Sequence, residues 1–278
     1  MPIVTFWSNN EKTIGQTVAA ASAATVMAME HKYKVILISV DFMNDTMEGC
    51  FGAQQSNKEL IKDFVSGPQI SLDTGINGLL KIAQSNRVTP EIIKDYTKII
   101  YKNRLEVLYS STNIDMSIEE QLEYFKTIIL NASKYYDQVF VDLKKGMKYT
   151  QVLDILDMSD AIVLNTEQGI KTLGKFFKMA ETQKYIKAHK VIWNICKYDK
   201  ASKYNVKNLV RTVWKKQTIY NVPYNTLLFE ATTEGNLTEF LLRVRTLRNE
   251  DENSELLSEV KKLTEGILEK YQELRMKM

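Results

Sequence analysis

The sequence predicts an α/β fold, with a mostly parallel central sheet of about seven strands and helices on both faces. Three observations carry that reading. Short β-rich runs recur along the chain, and helical patterns separate them. The runs are apolar throughout rather than alternating, which is what strands buried on both faces require. Alternation of strand and helix demands crossover connections, and these produce parallel neighbours.

The first run is IVTFW (Ile3 to Trp7), followed by KVILISV (Lys34 to Val40) and RLEVLYS (Arg104 to Ser110). QVFVDL (Gln138 to Leu143), AIVLNT (Ala161 to Thr166), KVIWNIC (Lys190 to Cys196) and TIYNVP (Thr218 to Pro223) complete the set. Between the first two lies TVAAASAATVMAM (Thr17 to Met29), too short to span a bilayer and with no basic segment before it. It reads as a buried helix. Thr89-Pro90-Glu91 supplies an N-cap, a proline at the first helical position and an acid in the first turn. Ser117 and Glu120 form a capping box ahead of QLEYFKTIILNASKYY. After a polar break, RNEDENSE (Arg248 to Glu255), a last helix places Leu256, Val260, Leu263, Ile267, Tyr271 and Leu274 on one stripe. The expected organisation is an α/β domain over 1–248 and a C-terminal amphipathic helix over 249–278 packed on it. Trp193 and Trp214 read as core.

Composition narrows the function classes. The 278 residues suffice for one large α/β domain or two small ones, and 44% apolar with 26% charged residues is ordinary for a globular chain. The 37 basic and 34 acidic residues are interspersed, so a net charge of +3 gives no basic stripe for DNA. Cys50 and Cys196 stand far apart without metal-ligand spacing and read as reduced thiols of a cytosolic protein. Only His31 and His189 occur, both where a helix should end and a strand begin, which argues against a histidine-based metal site or triad. The last helix mixes Lys and Glu on its polar face, whereas membrane-surface helices favour a basic one, so packing on the domain is the better reading.

In open parallel sheets, ligands bind at the carboxyl ends of the strands. The first strand end, FWSNNEKTIGQT, has the layout of a phosphate-binding loop, yet it keeps only Gly15 and Thr17 with Gln16 between them. The second and fourth strands end at Asp41 and Asp142. A carboxylate there needs a partner. Each could be a helix cap or an acceptor of loop amides, and together with Thr17 they could hold Mg²⁺ beside a nucleotide.

Several stretches together resemble the MinD/ParA superfamily of P-loop ATPases, whose first loop reads KGGxGKT/S. Aligned on the helix start, Glu11 stands at the signature lysine, Lys12 and Thr13 at the two glycines, and Gln16 at the phosphate lysine. Ile14, Gly15 and Thr17 match. VILISVD resembles the family's VLLIDxD, with Ser39 for the first aspartate and Asp41 retained. YDQVFVDLKKG resembles YDxIIIDxPPG, with Asp142 as the Walker B acid and Lys144 and Lys145 in place of the prolines. In NICKYDK, Asn194 matches the family's adenine reader, and VPYNTLLFEATTEG, with Pro223 as its second residue, resembles the family's IPyd…eA…G segment. The middle section, Gly75 to Ser111, is similar to the TadZ/CpaE-like branch of Tad (Flp) pilus systems.

The resemblance implies a degenerate member with a nucleotide-binding frame of Lys12, Gly15, Gln16, Thr17, Asn194 and Pro223, and Thr17, Asp41 and Asp142 as holders of any Mg²⁺. Lys144 and Lys145 are auxiliary candidates or two solvated lysines. Losing one charge-assisted contact costs about 1.5–3 kcal/mol, and losing one preorganised donor costs roughly 10²–10³ in rate. Both signature lysines and one aspartate are missing, so the expectation is a non-hydrolysing or weakly nucleotide-binding positioning factor. Its ligand would be ATP or ADP with Mg²⁺, or no nucleotide. The expected partners are a second copy and protein components of a membrane-associated assembly, reached from the cytoplasm at the membrane periphery, without DNA or direct membrane contact. The rival is an active ParA-type partition ATPase that binds ATP-Mg and DNA, with another lysine substituting.

Overall fold

The structure, a computed structural model, describes residues 2–8, 14–41, 46–52, 76–109, 116–143, 147, 149–212, 218–247 and 251–277. Its centre is one sheet of eight strands in the order β3-β4-β2-β5-β1-β6-β7-β8. These are β1 (Ile3–Trp7), β2 (Val35–Val40), β3 (Lys98–Tyr101), β4 (Leu105–Leu108), β5 (Gln138–Leu143), β6 (Ala161–Thr166), β7 (Val191–Tyr198) and β8 (Ile219–Pro223). Every pairing is parallel except β3 with β4. Seven of the strands are the seven apolar runs of the sequence.

The eighth strand, β3, adds to the seven runs read in the sequence. It is four residues long, mostly exposed, and forms a hairpin with β4. A half-exposed edge strand carries no apolar run on both faces, so it lacks the signal that marks the others. Asn103 closes the turn at φ 60°, a left-handed conformation that asparagine tolerates.

Helix α1 (Gln16–Glu30) is buried along most of its length. Its small residues Ala19, Ala20, Ala23 and Ala24 are fully buried, which lets the helix approach its neighbours closely. The remaining helices are α2 (Thr46–Phe51), α3 (Ile76–Gln84), α4 (Pro90–Asp95), α5 (Ile118–Ala132), α6 (Tyr149–Met158), α7 (Ile170–Lys178), α8 (Ala180–Lys187), α9 (Val206–Thr212), α10 (Thr226–Thr233), α11 (Leu237–Val244) and α12 (Glu252–Lys277). Thr89 caps α4 by accepting from the Ile92 N–H, and the capping box of Ser117 and Glu120 is present on α5. His31 is the C-cap of α1, and His189 lies between α8 and β7.

Two apolar clusters lie on the two faces of the sheet. One gathers α3, α5, α6 and α7 around Ile36, Ile38, Val139 and Val141. The other gathers α1, α2, α11 and α12 around Val4, Phe6, Leu37 and Phe140. Trp193 belongs to the first, whereas Trp214 lies outside the described residues. Helix α12 packs on α1 and β8, burying Leu256, Val260, Leu263, Ile267 and Tyr271, with Leu274 half-buried. At its rim, Lys261 Nζ and Arg245 Nε meet Glu30 Oε1 at 3.1 and 3.2 Å.

The tightest point of that packing is Gly266 against Tyr220. A Cβ at Gly266 would lie 2.2 Å from the tyrosine Cζ and hydroxyl oxygen. Gly266→Ala is expected to destabilise the protein by about 1–3 kcal/mol through overpacking. Adding Tyr220→Ala should recover part of that loss over Tyr220→Ala alone, a coupling that thermal unfolding of the four proteins measures.

Candidate functional site

Parallel pairing brings the carboxyl ends of β1, β2 and β5 side by side. Phe6 lies opposite Asp142, and Ser39 opposite Asp142 on the other flank. Gly15 enters α1 at φ 91°, in the left-handed region, so the chain can turn sharply from the loop into the helix. That turn delivers Gln16 and Thr17 onto the ends of β1 and β5.

Gln16 is 4% exposed, and its carboxamide is fully engaged as a donor. Nε2 donates to Asp142 Oδ1 at 2.8 Å, to the Leu143 carbonyl at 2.6 Å and to the Phe6 carbonyl at 3.2 Å. Gln16 therefore forms an internal bracket between α1, β1 and β5. The Thr17 side chain lies close enough to Asp142 to lower its proton affinity. Asp41 is buried at the end of β2, its backbone N–H 3.4 Å from the Ser39 Oγ, and its charge acts on Asp142. Gly15, Gln16, Thr17, Asp41 and Asp142 thus gather at one strand-end mouth. Lys12, Lys144 and Lys145 lie outside the described residues.

Burial pushes the Asp142 carboxyl up to about 7, against the opposing pull of the Gln16 and Thr17 side chains, and the nearby Asp41 charge raises it further. Cys50 and Cys196 sit close enough to feel the Asp142 charge, and burial raises both thiols away from reactivity. Two polar atoms at the mouth, Gln16 Oε1 and Asp142 Oδ2, are buried without a hydrogen-bond partner.

Asn194 and Pro223 are placed differently from one another. Asn194 lies within the sheet, fully buried, where its Nδ2 donates to Asn165 Oδ1 at 2.8 Å across β6 and β7. Pro223 lines two small adjoining clefts at the strand ends. One, of about 60 Å³, is walled by Gly15, Val18, Lys197, Tyr224, Asn225 and Phe229. The other, of about 170 Å³, includes Tyr198, Asp199, Lys200 and Glu255. Both are smaller than ordinary ligand pockets, which run about 300–1,000 Å³.

Lys197 was not singled out by the sequence, although it follows the buried run of β7 and so stands among the strand-end positions. It has φ 50° where the β7–β8 register shifts, and its side chain runs alongside Gly15. A Cβ at Gly15 would lie 3.4 Å from Lys197 Cγ and 3.5 Å from its Cε.

Among the described residues, the fit to a magnesium–triphosphate is poor. Thr17, Asp41 and Asp142 offer oxygens, and the orphaned Asp142 Oδ2 could accept from a ligand. But a neutral carboxamide with its donors committed inward cannot neutralise transferred phosphate charge. Two acids face the mouth, and no group of three or more metal-binding side chains forms among the described residues.

Comparisons with known proteins place this geometry in a fold. No family model matches the sequence, and no curated protein matches it. Solved structures do. A ParA family ATPase from Chlorobium tepidum superposes with a TM-score of 0.68 at 14% identity, covering 95% of this chain and 98% of its own. MinD of Aquifex aeolicus, solved in a complex with MinC, gives 0.65 at 14% identity over 96% of both chains. MinD of Pyrococcus horikoshii, solved with Mg-ADP, gives 0.64 at 13% identity over 96% and 95%. The chain has the ParA/MinD P-loop fold.

Two outcomes are expected of this site. The folded protein holds a proton on Asp142 that the unfolded chain releases between about pH 4 and 7, so stability falls as pH rises through that window, by on the order of 4 kcal/mol. Asp142→Asn removes the titration: in thermal unfolding it should exceed the wild type at pH 8 and lose that advantage at pH 4. Gln16→Ala leaves Asp142, Leu143 and Phe6 without their donor and should cost about 2–4 kcal/mol, measured by denaturant unfolding.

Proposed function

We propose that this chain is a degenerate member of the ParA/MinD superfamily that acts as a positioning or assembly factor and does not hydrolyse ATP. The observation that carries the proposal is the inward bracket of Gln16: the residue at the phosphate-lysine position spends its donors on Asp142, Leu143 and Phe6. The bracket joins β1, β5 and α1 without a nucleotide, so the strand-end frame can persist in the apo protein. Proteins of this fold include a MinD solved with MinC, which supports a role built on partner capture.

On this reading the protein forms a homodimer through its strand-end face and recruits protein components of a membrane-associated machine from the cytoplasm. The machine is a Tad-type pilus or a related secretion system, a placement supported by the resemblance of Gly75 to Ser111 to the TadZ/CpaE-like branch. Among the described residues, no helix is long and apolar enough to cross a membrane. Weak nucleotide binding without turnover has support from one feature, the placement of Lys197 beside Gly15 in the cleft walled by Pro223 and Tyr224. An active partition ATPase is the weaker reading, because it needs a cation where the carboxamide sits.

Calorimetry with ATP and Mg²⁺, paired with a phosphate-release assay, tests the proposal. The wild type is expected to show at most weak binding and no release. Gln16→Lys places an ammonium against Asp142 and should tighten ATP-Mg binding about tenfold or more, one charge-assisted contact being worth about 1.5–3 kcal/mol. Phosphate release by the wild type that Asp142→Ala abolishes would overturn the reading.

A further inference from the structure

We propose that the outer edge of β3 docks an extended acidic segment of a partner protein, which adds a strand to the sheet. The site lies at the opposite end of the strand order from β8 and does not depend on nucleotide.

β3 ends the sheet, and among the described residues no strand pairs with its outer side. An edge of this kind presents backbone donors and acceptors that a further strand can take. The strand is held in place from within, where Ile100 packs on the core. Ile99, 57% exposed, and Tyr101, 44% exposed, flank a register shift and pair with Glu106 and Leu105, so they lie on opposite faces of the strand. A β-branched and an aromatic side chain on a strand gain most when a neighbouring strand covers them.

Charge decides between the occupants. Lys98 opens the strand and Lys102 follows it, both exposed. In antiparallel pairing of two copies, these lysines would oppose one another, and in parallel in-register pairing each would meet its own counterpart. Like charges opposite each other destabilise a strand pair, so a second copy is disfavoured. The surrounding segment 87–104 carries Arg87, Lys94, Lys98, Lys102 and Arg104 against Glu91 and Asp95. The nearest acid on the paired strand, Glu106, is 2% exposed and occupied by Tyr136, Thr97 and Lys34, so it is not available to the exposed lysines. A strand bearing Glu or Asp at alternate positions would supply both the backbone ladder and the opposite charge.

Fluorescence anisotropy with the full chain and a labelled peptide, Thr-Glu-Val-Glu-Val-Glu-Thr, tests this. Saturable binding is expected, weakened about tenfold or more at about 0.5 M salt because the contacts are exposed. A backbone N-methylated version of the peptide should not bind. Lys98→Glu/Lys102→Glu should lose the acidic peptide and take its Lys-for-Glu counterpart. Ile99→Ser/Tyr101→Ser should weaken binding without altering the charge preference. Both pairs are exposed, so circular dichroism should show an unchanged fold, and either pair suffices if the other misfolds. The proposal is overturned if the acidic peptide does not bind saturably, or if the N-methylated peptide binds equally. It is also overturned if charge reversal changes nothing, or if these lysines prefer duplex DNA or phosphatidylglycerol vesicles to the peptide.

Discussion

The donor bonds of one buried carboxamide organise the strand-end mouth. Gln16 Nε2 reaches two backbone carbonyls and a carboxylate from the first turn of α1. Those acceptors belong to β1 and the end of β5, the strands at the centre of the sheet. Without that donor, the Asp142 carboxyl would face a dry interior with less compensation, and burial already raises its proton affinity. A lysine would satisfy the same acceptors with a charge, but it would leave that charge dependent on Asp142 being ionised or on a bound anion. The amide is neutral, so it stabilises the frame whatever occupies the mouth.

This trade links stability to function in one place. Phosphate transfer relies on preorganised positive charge that the surrounding protein holds ready. Here the corresponding position is committed to holding the fold together. The result is a sheet with the parallel order and crossovers of the ParA/MinD fold and, at its mouth, a buried carboxyl of raised proton affinity. The small clefts beside Lys197 and Pro223 have volumes below those of ordinary ligand pockets. At the opposite edge, the short hairpin of β3 and β4 carries exposed lysines, and no further strand pairs with β3 among the described residues.

Much of the scaffold was legible from local chemistry. Seven strands announced themselves because burial on both faces demands unbroken apolar runs, as in Val35–Val40 and Gln138–Leu143. Caps at Thr89 and Ser117 were readable because a capping hydroxyl acts on backbone only three residues away. β3 escaped notice because an exposed edge carries a mixed pattern that turns and helices share. Lys197 escaped because its role depends on Gly15, which is distant in sequence and adjacent only after the sheet is assembled.

The sequence by itself determined the α/β class, seven of the eight strands, and the identities of the residues at the first strand end. Those properties follow from local periodicity and from which atoms each side chain carries. Only the tertiary structure decided what Gln16 does. Its partners at Phe6, Asp142 and Leu143 come from two strands that parallel pairing places together, and a buried amide must spend its donors on whatever the fold brings within reach. The same holds for Asn194, whose side chain is turned into the sheet by its in-register neighbour Asn165. Residue type could nominate these positions, but direction and partner are long-range properties of the folded sheet.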